Sequence, residues 1–102
     1  MARLERSAID AALATLDGWT YEEGALTRTV KFATFPDALT FLVRLAFEAE
    51  AADHHPDATV SYRDLTLRYV THSEGGVTDR DVEGARTASR LLAGRGGGGQ
   101  PT

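Results

Sequence analysis

A long helical pattern with proline near both ends restricts the fold more than any other feature. Thr34 and Asp37 are suited to satisfy free amides at a helix start, and Pro36 has no amide to leave unpaired. Pro56 disfavours helical geometry at the residue before it, so the helix must end at about residue 53. Apolar residues between these points recur at helical spacing, with Leu39, Leu42, Val43, Ala46 and Ala49 on one side and Phe41, Leu45 and Ala52 widening the stripe.

Two further segments have helical patterns, one on each side of this central helix. From about Glu5 to Leu16, apolar residues recur at i, i+4 and i+7, and Asp17-Gly18 then stops the helix. Near the other end, Thr78 and Asp81 form a helix cap. The inner face of this last helix is predicted to carry Val82, Ala85, Ser89 and Leu92.

Four short runs with strand character form two predicted hairpins. The runs are Trp19 to Glu22, Leu26 to Phe32, Ala58 to Tyr62 and Leu65 to Thr71. Arg28 falls on the apolar face of its strand, where we expect it to extend past a sheet edge rather than to act in catalysis. The sequence therefore predicts an α+β fold of order α-β-β-α-β-β-α, with three helices on one face of a four-stranded antiparallel sheet.

Length and composition exclude several classes of protein. The 102 residues suit one domain, which we expect over residues 1–93, and the glycine-rich residues 94–102 are expected to be a disordered tail. A net charge of -4 argues against nucleic-acid binding, and the absence of cysteine excludes disulfides and thiolate metal sites. With neither a signal peptide pattern nor a membrane-spanning run, we expect a soluble, cytoplasmic protein with no membrane contact.

All the histidines of the chain lie between residues 54 and 72, among carboxylates. Because imidazole gains and loses a proton near neutral pH, this placement suits proton transfer. His54 and His55 also fit a simpler role as an exposed helix stop, and Asp81 fits a plain helix cap. A metal site ranks below both interpretations, because helical histidine spacings such as His-Glu-x-x-His are absent.

The spacing of these residues resembles the signature of the pterin-4a-carbinolamine dehydratase family. The matching positions are Glu50, His54-His55-Pro56, Tyr62, His72 and Asp81, with every interval kept. The segment from Thr71 to Thr78 and the earlier Gly18-Trp19 are also similar to the family, so the resemblance covers about residues 5 to 93.

This resemblance implies a dehydratase that converts a 4a-hydroxytetrahydropterin to the quinonoid dihydropterin without a metal or organic cofactor. It implies His54 and His72 as the acid/base pair and His55 as a residue that orients the pterin. Glu50 and Asp81 would support the imidazoles. The implied substrate-contacting residues are Asp53, Pro56, Thr71 and Ser73.

The expected partners follow from the apolar stripe of the central helix and from the open sheet edges. Both favour a homodimer or homotetramer. The resemblance implies that the reaction recycles the pterin cofactor of aromatic amino-acid hydroxylases. It also leaves an alternative from another functional class, a non-enzymatic protein whose second helix mediates dimerisation or binds a partner protein.

Overall fold

The computed structural model describes residues 2–94, which form three α-helices and four strands. The elements are α1 (Arg6–Leu13), β1 (Thr20–Glu22), β2 (Ala25–Lys31), α2 (Phe35–Ala52), β3 (Asp57–Ser61), β4 (Asp64–Tyr69) and α3 (Asp79–Gly94). The expected order α-β-β-α-β-β-α is confirmed. The predicted tail lies outside the described residues, except that Gly94, which was assigned to it, is the last residue of α3.

The strands form one antiparallel sheet in the order β1-β2-β4-β3. Arg68, near the end of β4, pairs with Asp57, the first residue of β3. The chain therefore enters β3 at the same end of the sheet at which it leaves β4. As a result, the segment that follows α2 and the segment that contains His72 lie at one end of the sheet.

The helices cover one face of the sheet, and the core lies between them. Along β4, Leu65, Leu67 and Tyr69 are buried while the residues between them are partly exposed. On the opposite face, the exposed hydroxyls of Thr29 and Thr66 lie 2.8 Å apart and share a hydrogen bond. The sheet thus alternates apolar and polar residues, as the sequence pattern predicted.

Arg28 lies on the apolar face of β2, an inner strand of the sheet, and its side chain extends to the connection between α1 and β1. Its guanidinium donates a hydrogen bond to the carbonyl of Asp17 at 3.2 Å. Burial lowers the pKa of Arg28 from its usual value, and the nearby charge of Asp17 opposes that effect. The guanidinium also lies 3.5 Å from the hydroxyl oxygen of Ser89, so Arg28 has a structural role between the α1–β1 connection and α3.

Only part of the predicted apolar stripe of α2 is buried against the sheet. The residues that pack into the core are Ala38, Phe41, Leu45 and Ala49, whereas Leu39, Val43 and Ala46 are exposed. The stripe is wide enough that periodicity alone does not show which half faces the sheet. The exposed half, Phe35, Leu39, Val43 and Phe47, is called the outer stripe below.

Two elements are shorter than their apolar patterns. The helix α1 ends at Leu13 because the amides of Thr15 and Leu16 bond three residues back, to Ala12 and Leu13, and tighten the last turn. Strand β4 ends at Tyr69, and Thr71 retains only an isolated bridge to Gly76. Within residues 2–94, no helix has the length and apolar character needed to cross a membrane.

Candidate active site

The exit loop, residues 53–56, begins with an unusual backbone conformation. Asp53 has φ 53° and ψ 41°, in the left-handed region that usually favours glycine. The amide of His54 then bonds back to the carbonyl of Ala49 at 3.1 Å. This reversal turns the chain out of α2 and directs it towards the first turn of α3.

His54 is the most enclosed of the histidines and is held on two sides. Its Nε2 lies 2.5 Å from Oδ1 of Asp81, and the two side chains are 12% and 0% exposed. The imidazole also stacks on the ring of Tyr69, with the ring centres 6.0 Å apart. Because a carboxylate only accepts hydrogen bonds, Nε2 carries the hydrogen. The other nitrogen, Nδ1, has no hydrogen-bond partner among the described residues.

The Nδ1 atom of His54 is also open to the surface. Among residues 2–94, no buried side-chain nitrogen or oxygen lacks a hydrogen-bond partner. An unpartnered Nδ1 must therefore be accessible to solvent or to a ligand. His54 thus has one nitrogen fixed by a buried carboxylate and one available for proton transfer.

The carboxylate that holds His54 is itself held by buried donors. Oδ2 of Asp81 accepts from the amide of Thr78 at 2.8 Å and from the hydroxyl of Thr71 at 2.7 Å. The hydroxyls of Thr71 and Thr78 are also 2.8 Å apart. The predicted cap of α3 by Thr78 and Asp81 is therefore present, and the same carboxylate also supports the histidine. These donors compensate the burial of a charged group.

His55 points away from this network and is exposed. Its Nε2 lies 2.8 Å from Oε1 of Glu50, which projects from the last turns of α2. Both side chains face solvent, with 55% and 82% of their areas exposed. This pair can reach a ligand at the surface, and its mutual hydrogen bond restricts the orientation of the imidazole.

His72 begins a single 3₁₀ turn, His72–Glu74, that follows β4. Its side chain is 78% exposed, and its Nε2 lies 3.7 Å from Oδ2 of Asp57. Because Asp57 follows the exit loop directly, this contact shows that the segments of all the histidines lie at one end of the sheet. Gly75, with φ 73°, makes the chain reversal that follows His72.

The other proposed substrate-contacting residues differ in their access to a ligand. Asp53 and Ser73 are exposed, and Pro56 is partly buried. Thr71 is buried, its hydroxyl is bonded to Asp81, and its amide donates to the carbonyl of Gly76. In this structure, therefore, Thr71 supports Asp81 and the turn instead of presenting its hydroxyl to a ligand.

Tyr62, the aromatic residue of the sequence signature, lies away from the histidines. It occupies the turn between β3 and β4, is highly exposed and has φ 56°. This turn is at the other end of the hairpin from Asp57, so Tyr62 of the same chain does not contribute to the site.

A cavity of about 240 Å³ borders His54 between α2 and α3. Its lining includes Ala49, Tyr69, Arg80 and Gly84 but neither His55 nor His72. Burial and the charge of Asp81 raise the pKa of Tyr69 to about 12, so the phenol stays protonated at neutral pH. In residues 2–94, no three side chains among His, Asp and Glu form a group that could hold a metal ion.

Two residues that shape this site were not predicted from the sequence. Tyr69 stacks under His54, and its place two positions before buried Thr71 on an alternating strand was a usable signal. Arg80 donates hydrogen bonds to the carbonyls of Ala52 and Asp53, close to the start of the exit loop. Only its position next to Asp81 pointed towards the site.

Comparisons with known proteins give consistent results over nearly the whole described chain. The family model described as pterin 4 alpha carbinolamine dehydratase matches residues 2–91. A candidate pterin-4-alpha-carbinolamine dehydratase of Mycolicibacterium vanbaalenii is 49% identical over 90% of this chain and 99% of its own length. One of Mycobacterium avium is 50% identical over 90% of this chain and 98% of its own.

A solved structure is also similar. The crystal structure of a transcriptional coactivator/pterin dehydratase from Brucella melitensis superposes with a TM-score of 0.83 at 38% identity. The match covers 87% of this chain and 97% of that one.

Proposed function

This chain belongs to the pterin 4 alpha carbinolamine dehydratase family, and from this membership we propose that it removes water from a 4a-hydroxytetrahydropterin. In this reaction the C4a–O bond breaks, the N5–H proton leaves, and a C4a=N5 double bond forms. The products are the quinonoid dihydropterin and water. The reaction needs one group that accepts the N5 proton and one that protonates the departing hydroxyl.

The observation that carries the proposal is the hydrogen bond between His54 and Asp81. Since Nε2 donates to a buried carboxylate, Nδ1 is the nitrogen that can accept a proton. The positive charge that His54 gains on accepting that proton is stabilised by the nearby carboxylate. We assign to His54 the removal of the N5 proton.

His72 is the proposed acid. It is exposed and lies beside Asp57, the first residue of β3. This is the end of the sheet to which the exit loop leads. A protonated imidazole there can donate to the 4a-hydroxyl as it leaves. His55, oriented by Glu50, would bind the pterin, with Asp53, Pro56 and Ser73 contributing contacts at the rim. The product would be reduced again to tetrahydropterin, which fits a role in recycling the cofactor of aromatic amino-acid hydroxylases.

The test is turnover of a freshly generated 4a-carbinolamine, followed by absorbance in the presence and absence of a chelator. We expect dehydration well above the buffer rate in both conditions, since protein side chains carry out both proton transfers. A rate equal to that of buffer alone would exclude the proposed function. Activity that the chelator abolishes would replace the histidine mechanism with a metal-dependent one.

The outer stripe of α2 supports a second candidate role, in assembly. Phe35, Leu39, Val43 and Phe47 are spaced four residues apart and are all exposed. An apolar row of this length on a monomer marks an interaction surface. We propose a homodimer or homotetramer that buries this row. Binding of a helical partner protein by the same surface is the alternative, in which catalysis would be incidental.

A further inference from the structure

We propose that Arg80 is a positioning residue for His54 and acts through the backbone of the exit loop. Its guanidinium donates hydrogen bonds to the carbonyls of Ala52, the last residue of α2, and of Asp53, the residue that follows it. The kinetic part of this inference rests on the proposed dehydratase function. The structural part does not depend on it.

The carbonyl groups at the end of α2 need hydrogen-bond donors and positive charge that the side chains of α2 do not supply. The last carbonyls of a helix have no partners within the helix, and they carry the negative end of the helix dipole. A lysine, arginine or histidine in the last turn often satisfies such carbonyls, but the last turn of α2 contains no basic residue. Arg80 supplies this cation from α3.

The conformation of Asp53 makes that support important. A residue other than glycine in the left-handed region is strained and persists only where its surroundings fix it. The amide of Asp53 bonds back into α2, and its carbonyl is held by Arg80. Arg80 thus fixes the peptide that joins Asp53 to His54.

Adjacent residues of α3 hold adjacent residues of the exit loop. Arg80 binds the backbone at Asp53, and Asp81 binds the ring of His54. With both contacts, the position and the rotation of the imidazole are fixed relative to one rigid helix. Without Arg80, the backbone that carries the ring could shift, and the direction of Nδ1 would vary although Asp81 and Tyr69 still contact the imidazole.

The planar shape of the guanidinium is part of the proposal. One terminal nitrogen, Nη2, donates to both carbonyls, and the planar group holds that nitrogen in a fixed orientation, whereas lysine is a point charge on a flexible stem. We therefore expect Arg80→Lys to restore the charge at the helix end but only part of the positioning.

The kinetic experiment compares Arg80→Ala and Arg80→Lys with the matched control Arg86→Ala. Arg86 lies on the same helix, is exposed, and contacts Thr15 and Glu83, away from the exit loop. In Arg80→Ala we expect kcat to fall about tenfold or more, since small displacements of reacting groups have effects of this size, while KM changes less. Arg80→Lys should lie between Arg80→Ala and the unmodified protein. Arg86→Ala should match the unmodified protein.

Amide hydrogen exchange by NMR supplies a readout that does not require activity. The amide of His54, bonded to Ala49, should exchange about tenfold faster in Arg80→Ala, while core amides such as that of Phe41 keep their rates. Arg86→Ala should leave the His54 amide unchanged.

Three results would overturn the proposal. The first is an unchanged kcat and an unchanged His54 amide in Arg80→Ala. The second is full kcat in Arg80→Lys, which would assign the effect to charge alone. The third is an equal acceleration at His54 and Phe41, which would mean a general loss of stability. If the unmodified protein fails to turn over the carbinolamine, the proposed function fails, and the amide experiment still decides the role of Arg80.

Discussion

Nε2 of His54 and Oδ1 of Asp81 lie 2.5 Å apart, although 27 positions separate the two residues in the sequence. One comes from the loop after α2 and the other from the first turn of α3. The same carboxylate also accepts hydrogen bonds from Thr71 and Thr78. The residue that caps α3 is therefore also the residue that determines which nitrogen of His54 can take a proton.

Asp81→Asn should reduce both stability and activity. The amide has nearly the same shape, but it is uncharged, and one end of it donates where a carboxylate would accept. We expect a loss of about 1–3 kcal/mol in the free energy of unfolding, because buried donors lose good partners. The turnover number should fall by about 10² or more, because the tautomer of His54 is no longer fixed. Urea denaturation and the carbinolamine assay measure the two effects, and unchanged turnover would contradict the assignment.

His72→Ala should affect activity without affecting stability. The side chain is exposed and has no buried contact, so truncation should change the free energy of unfolding by less than about 0.5 kcal/mol. If His72 transfers a proton, turnover should fall by roughly 10² to 10⁴. Lys31→Ala, which breaks an exposed ion pair with Asp64, is the control. A His72→Ala protein that is destabilised but fully active would move the acid/base role to His54 and His55.

Gly84→Ala should destabilise the packing of α3 on the sheet. A Cβ at this position would stand 2.7 Å from Cδ1 of Tyr69, and other atoms of that buried ring are also too close. We expect a loss of about 1–3 kcal/mol by chemical denaturation, which is typical of overpacking. Gly94→Ala, on the same helix, has nothing within 4 Å of the added atom and should not destabilise. Equal stability of the two variants would show that α3 shifts without penalty.

The raised pKa of Tyr69 predicts that the protein loses stability at alkaline pH. The folded state raises its pKa from 10.0 to about 12, through burial first and the charge of Asp81 second. Below pH 10 the phenol is protonated in both the folded and the unfolded state, so its contribution to the free energy of unfolding is fully present. Between pH 10 and about 12 the unfolded state releases the proton first, and stability should fall by up to about 1.4 kcal/mol per pH unit.

Tyr69→Phe removes the titrating group and should flatten this part of the pH profile, measured by urea denaturation. Tyr62→Phe, at an exposed turn, is the matched control and should keep the slope of the unmodified protein. Identical slopes in the two variants would contradict the assignment to Tyr69.

The outer stripe predicts self-association. Light scattering at micromolar concentration should give a mass that is a multiple of the 11.0 kDa chain. Replacing Val43 and Phe47 together by glutamate should shift the protein towards the monomer, because a charge cannot be buried there without a partner. Arg44→Ala, on the same helix, is the control. If the unmodified protein is a monomer, self-association is excluded, and the outer stripe would be assigned to binding of a partner protein.

The sequence predicted the order of elements because their hydrophobic periods differ clearly and Pro56 marks the end of α2. The capping roles of Thr34 and Asp81 were also predictable, since caps are local and depend on residues three positions apart. The buried half of α2 was not. Its apolar stripe is so wide that only packing against the sheet distinguishes Leu45 from Val43.

Within the candidate site, sequence spacing identified the histidines but not their different surroundings. Exposure separates His54 from His72, and exposure depends on long-range packing. The stacking of Tyr69 and the reach of Arg80 to Asp53 are contacts between distant segments, which no local pattern contains.

The burial of Asp81 has a consequence for how a protein of this fold could change over evolution. Its carboxylate joins the end of β4, the start of α3 and the exit of α2. A descendant that lost catalysis but kept the fold could replace His72 or His55 freely, because both side chains are exposed and solvent would occupy the space that they leave. It could not discard Asp81 or Thr71 as easily. The acidic residue would then persist as a remnant of catalysis in a protein that no longer performs it.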